Sequence, residues 1–116
     1  MNFSKLEKDI LGWIYQNEEN PIIKSQLAAA RPIKRKFTST GVWIYIELAE
    51  KTESVPDSAG DITPILGPFI KSPNLKYGAE SAIYITNGLF DILEIFSIKD
   101  NFPKELEHYE LVDPIE

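Results

Sequence analysis

The sequence predicts an α+β fold in which two N-terminal helices pack on an antiparallel sheet of about five strands. Three observations carry that prediction. Residues 4–30 show apolar side chains at helical spacing behind recognisable caps. Residues 33–98 turn instead to β-branched and aromatic runs divided by turn residues. Within them, Asn87-Gly88 separates two such runs, and a two-residue Asn-Gly loop is the strongest local hairpin signal because a type I′ turn needs φ > 0 at both central positions.

The first helix is expected over Ser4 to Asn17. Ser4 and Glu7 match a capping box, the serine oxygen taking an orphan amide and the glutamate reaching back to the cap. Leu6, Ile10, Trp13 and Ile14 then share one face. Gly12 costs about 1 kcal/mol relative to alanine, so the helix depends on packing. Asn20 caps a second helix with Pro21 at its first position, where the missing amide had no partner to lose. Ile23, Leu27 and Ala30 form its buried stripe, and Arg31-Pro32 stops it, since the residue before proline is pushed out of the helical region.

Ile33 to Thr38 alternates, with Ile33, Arg35 and Phe37 on one side and Lys34, Lys36 and Thr38 on the other. A turn at Ser39-Thr40-Gly41 leads into a strand whose Val42, Ile44, Ile46 and Leu48 face the core, leaving Trp43, Tyr45 and Glu47 outward. Residues 49–64 are the longest polar stretch and read as a loop, long enough to suggest either function or disorder. Ile65 to Ser72 is a strand interrupted by Gly67-Pro68, which belongs near an edge because proline cannot donate to a ladder.

The hairpin over 80–98 is expected at the sheet's centre. Counting back from Asn87-Gly88 sets Thr86 opposite Leu89, Tyr84 opposite Asp91 and Ala82 opposite Leu93. One face then holds Ile83, Ile85, Phe90, Ile92 and Phe96, the other Ala82, Tyr84, Leu89, Leu93 and Ile95. Both are largely apolar, which predicts cover on both sides. Beyond Ile98, Lys104 to His108 suggest one helical turn, and Tyr109 to Glu116 an extended tail.

All 116 residues make one domain. There is no cysteine, which excludes disulfides, thiolate metal sites and a cysteine nucleophile and suits a cytoplasmic protein. No apolar run reaches the length of a membrane span, and Glu7 and Asp9 argue against a signal peptide. The net charge of −6 is uneven. Residues 1–36 hold seven Lys/Arg against four Asp/Glu, whereas residues 37–116 hold five against fourteen. An acidic body repels nucleic acid and favours basic partners, although solubility alone also explains acidity.

Catalytic equipment is sparse. His108 is the single histidine and no nucleophile motif accompanies it. Asp91 and Glu94, three apart on a strand, should point to opposite faces and cannot share a metal. Asp57 and Asp61 flank a glycine but do not match a calcium loop. No phosphate-binding glycine frame occurs. Arg31, Lys34, Arg35 and Lys36 could meet phosphates, yet also read as a charged strand edge that deters aggregation. The expectation is a non-enzyme with no cofactor and no bound metal, binding neither nucleic acid nor membrane.

Two surfaces suggest binding instead. Trp43 and Tyr45 lie two residues apart on one face beside Glu47, and aromatic residues are enriched in interface cores. The helices could equally cover that face. Glu50, Glu53, Asp57 and Asp61 follow in the loop and would steer a basic partner. Gly78-Ala79-Glu80, Asn87-Gly88, Leu93-Glu94-Ile95 and Phe102-Pro103 together resemble a pattern in small uncharacterised bacterial proteins, some associated with toxin-immunity loci. The resemblance covers about 30 residues of the C-terminal half and assigns no residue a role. The acidic body, the small size and the sparse catalytic equipment together lead to the first expectation, a small acidic cytoplasmic binding protein such as an immunity protein that neutralises a basic toxin by occluding its active site. The competing expectations are an accessory subunit that homodimerises through an apolar face, and a hydrolase or metal-dependent enzyme.

Overall fold

The computed structural model describes residues 1–99 and 101–114. Two helices, α1 (Lys5–Asn17) and α2 (Pro21–Ala29), precede seven strands: β1 (Arg31–Phe37), β2 (Gly41–Glu47), β3 (Ile62–Leu66), β4 (Phe69–Ser72), β5 (Leu75–Thr86), β6 (Leu89–Ser97) and β7 (Glu110–Val112). The α+β class with N-terminal helices on an antiparallel sheet is therefore as expected.

Both caps form. Ser4 Oγ accepts from the Glu7 amide at 3.2 Å and Glu7 Oε1 accepts from the Ser4 amide at 2.9 Å. Asn20 Oδ1 accepts from the amides of Ile22 and Ile23. Leu6, Ile10 and Ile14 of α1 and Ile23 and Leu27 of α2 enter one core cluster with Ile44, Ile83, Phe90, Leu93 and Ile95. Each such side chain contributes about 1.5–3 kcal/mol by leaving water.

The sheet runs β1-β2-β6-β5-β4-β7, with β3 beside the C-terminal half of β5. The 80–98 hairpin is central, and Asn87 and Gly88 have φ of 53° and 80°, as a type I′ turn requires. Seven strands appear rather than five for two reasons. Gly67-Pro68 divides the expected 65–72 strand into β3 and β4, and the tail supplies β7 through Ile70↔Leu111. The break is built by the neighbouring strand. The Gly67 amide donates to the Ser81 carbonyl at 2.9 Å, Ser81 Oγ donates to the Pro68 carbonyl at 2.8 Å, and a Cβ on Gly67 would stand 2.4 Å from Ser81 Oγ.

The hairpin's register departs from the count made from its turn. Thr86 pairs with Leu89 and Ile85 with Phe90, but Tyr84 then pairs with Ile92 and Ala82 with Glu94. Asp91 is an extra residue, a β-bulge, and it exchanges the faces of everything after it. Leu93 and Ile95 join Ile83, Ile85 and Phe90 in the core, each 4% exposed or less. Ile92 and Phe96 join Tyr84 on the opposite side, half-buried.

That opposite side corrects the expectation of cover on both faces. Both helices bury their apolar stripes on the inner side of the sheet, and among the described residues no helix covers the outer side. Two further details differ. Residues 104–108 form no helical turn: Leu106 is the only apolar residue there and is buried, so a helix would have no second side chain to bury beside it. Within the extended tail, Ile115 and Glu116 lie outside the described residues.

Candidate interaction face

The strand pairings arrange the open face in rows. Lys36, Trp43, Glu94, Ala82 and Leu66 are successive cross-strand partners from β1 to β3. The next row is Lys34, Tyr45, Ile92, Tyr84 and Pro64. The Trp43 and Tyr84 rings stack diagonally between the rows, centroids 6.2 Å apart and planes at 19°. Such pairs add about 0.5–1.5 kcal/mol beyond their buried area. The Tyr84 hydroxyl donates to Glu94 Oε1 at 2.8 Å. That hydrogen bond, then burial, then the carboxylate's charge hold the phenol's pKa above its ordinary value. Lys34 Nζ lies 5.6 Å from the Tyr45 ring centroid. On the β3 side, Ile62 and Leu66 are 67% and 66% exposed.

The β3 and β1 edges of the sheet are poorly suited to receive another strand. The bonds Asn87 N to Asp61 O and Gly67 N to Ser81 O fix the alternation along β3, so the residues bonded to β5 are the odd-numbered ones. Ile62, Pro64 and Leu66 therefore turn their backbone groups to the free edge, and Pro64 removes the middle amide of the three. At the other end β1 is bulged between Pro32 and Lys34 and carries Lys34 and Lys36. Recognition through strands added at β3 or β1, the edges flanking the open face's rows, is thus obstructed, whereas the open face is not.

The residues singled out from sequence divide into two groups. Trp43, Tyr45 and Glu47 stand on the open face, the aromatics half-buried and clear of the helices. Glu47 is tied to Arg31 at 2.8 Å, which offsets part of its charge. Glu50, Glu53, Asp57 and Asp61 are exposed on the loop at the end of the sheet, not on the face itself. This loop is folded against the hairpin tip. Val55 N donates to Gly88 O at 2.9 Å, Gly60 N to Asn87 Oδ1 at 2.6 Å, and Gln26 Nε2 to the Glu53 carbonyl at 2.9 Å. Tyr84, Ile92, Phe96, Ile62 and Leu66 were not among the residues expected to bind. Asp91, an acidic residue inside an apolar run, is the sequence's signal of a change of face there.

Other clusters are internally satisfied. Glu7, 6% exposed, receives Arg35 Nε at 2.8 Å and its terminal nitrogen at 2.5 Å. This pair lies in a hollow of about 410 Å³ with Leu6, Phe37, Phe102 and Leu106 around it. With Arg31 and Arg35 both in ion pairs, two of the four cations of the 31–36 run are already engaged. Asp91 takes the Thr86 hydroxyl at 3.1 Å; the bulge turns it toward the side on which Glu94 also lies, against the odd-spacing expectation. Among the described residues no three His, Asp or Glu side chains are grouped as metal ligands, and no helix is long and apolar enough to cross a membrane. His108 is exposed, its carbonyl accepting from Ser72 Oγ at 2.6 Å. No protein family, no curated protein and no solved structure matches the chain.

Proposed function

We propose that this chain is a small acidic binding protein that docks a basic protein on the open face of its sheet. The observation that carries the proposal is the laterally continuous apolar surface from Tyr45 through Tyr84 to Leu66, which no helix covers among the described residues and which is flanked by the obstructed edges of β1 and β3. Trp43 and Tyr84 serve as rigid anchors, since stacked aromatics lose little freedom on binding. Glu50, Glu53, Asp57 and Asp61 steer the encounter from the end of the face. An immunity protein that blocks the active site of a basic toxin inside the cytoplasm is the specific form of this reading, and it draws on the sequence resemblance and the charge of −6.

A second reading uses the same face to join two copies of the chain. Exposed Ile62 and Leu66 favour it. Light scattering decides: a monomer at high concentration removes it.

The first reading is tested by capture from the native cell with three baits: wild type, Trp43→Ala/Leu66→Asp on the open face, and Tyr15→Ser on α1. A basic protein held by the first and third and lost from the second is expected. Glu50→Gln/Glu53→Gln/Asp57→Asn/Asp61→Asn should then slow association by about tenfold at low salt and far less at high salt. Retention of the partner by the face variant contradicts the reading.

A further inference from the structure

On the open face, Ala82 is the smallest side chain between Glu94 and Leu66 in its row. Beside it the Gly67-Pro68 break interrupts the neighbouring strand. Together these leave a pit of about 140 Å³ whose lining includes Pro64, Leu66, Ala82, Tyr84, Phe96 and Glu80, the cross-strand partner of Phe96 on the same face. Small-ligand pockets run to roughly 300–1,000 Å³, so this one has room for about one side chain. Tyr84 and Phe96 are half-buried and Leu66 is exposed, so the pit opens on the surface that the proposed function assigns to the partner.

Glu80 is the informative residue. It is half-buried and, among the described residues, has no hydrogen-bonding or ion-pair partner, unlike Glu7, Glu47 and Glu94. An apolar side chain entering the pit would bury this carboxylate unpaired, which is costly. An acidic one would be repelled. A lysine would answer the charge and can lie over a ring, as Lys34 does over Tyr45, but it can neither stack flat on the ring nor give a carboxylate paired donors. A guanidinium does both, because it is planar, stacks on aromatic faces and meets a carboxylate through paired donors. We infer that the pit over Ala82 seats one arginine side chain of the partner, its stem along Leu66 and Pro64, its guanidinium between Tyr84 or Phe96 and Glu80. This inference rests on the reading that the open face receives a basic protein.

The test is amide NMR on the full chain with three probes: N-acetyl-arginine methylamide, the same compound with citrulline, and a nona-arginine peptide. Millimolar blocked arginine should move the signals of Leu66, Glu80, Ala82 and Phe96, and the neutral citrulline compound should bind about fivefold more weakly or worse. Glu80→Gln should weaken the arginine response similarly, and Ala82→Leu, which fills the pit from its floor, should abolish it. Equal responses to arginine and citrulline overturn the inference. So does a nona-arginine response at Trp43, Tyr45 and the 50–61 loop with the pit unmoved; that result sinks the pit while the docking face stands. Silence of the whole face toward nona-arginine sinks both.

Discussion

Gln26 Oε1 accepts the Phe90 amide at 2.7 Å, fastening α2 to the first strand residue beyond Leu89 in the central hairpin. The same side chain donates from Nε2 to the carbonyls of Gly88 at 2.8 Å and Glu53 at 2.9 Å. Gln26 is 0% exposed, so one buried amide joins helix, hairpin turn and acidic loop. Gln26→Leu keeps the volume and strands these groups. A loss of about 3 kcal/mol in urea unfolding is expected, with faster exchange of the Phe90 amide. A loss under about 1 kcal/mol would mean that the three bonds are replaced by water.

The Glu7–Arg35 pair closes the other end of the core, joining α1 to β1. Removing one partner leaves a charge without its counter-ion in a largely buried place, so Glu7→Leu or Arg35→Leu alone should cost about 3 kcal/mol. The double variant should cost less than either single one, because no charge is then stranded. Thermal unfolding of the four proteins measures this, and additive losses would contradict it.

The raised pKa of Tyr84 gives a pH dependence of definite sign. The fold favours the neutral phenol that donates to Glu94. Its contribution is whole below the ordinary phenol value of about 10 and is lost as pH rises through the raised one. The stability gap between wild type and Tyr84→Phe should therefore narrow in alkali and stay constant near neutrality. A gap that widens with pH contradicts the hydrogen-bond direction.

Pro64 turns its missing amide to the free edge of β3. Pro64→Thr restores a donor there between the exposed Ile62 and Leu66 and should convert a monomer into a self-associating species at high concentration. Light scattering on the two proteins checks this; identical monomers would show that the proline does not guard the edge.

Local signals in the chain are legible where they act over a few residues. Ser4/Glu7, Asn20-Pro21 and Asn87-Gly88 each specify a cap or a turn through their own backbone chemistry, and each does so in the structure. The failures arise where pairing is decided at a distance. The bulge at Asp91 adds one residue to β6 and reverses every later side chain, so Phe96 moves to the open face and Leu93 to the core. Alternation along one strand could not reveal this, because both sides of the hairpin are apolar. The extra pairing of β4 with β7 depends on a tail whose three strand residues are too few to show a period. Trp43 and Tyr45 are legible as outward because Ile44 and Ile46, between and beyond them, are core residues. Their neighbours Phe96 and Tyr84 lie one and two strands away, so only the register groups them together.

The central claim is that Trp43 stands at the centre of the recognition surface, and its fluorescence tests this most directly. Trp13 is the other tryptophan, so Trp13→Phe leaves Trp43 as the single reporter. On adding the basic protein captured from the native cell, Trp43 emission should shift to the blue and become shielded from acrylamide. Binding of that protein with Trp43 emission and quenching unchanged would place recognition elsewhere on the molecule.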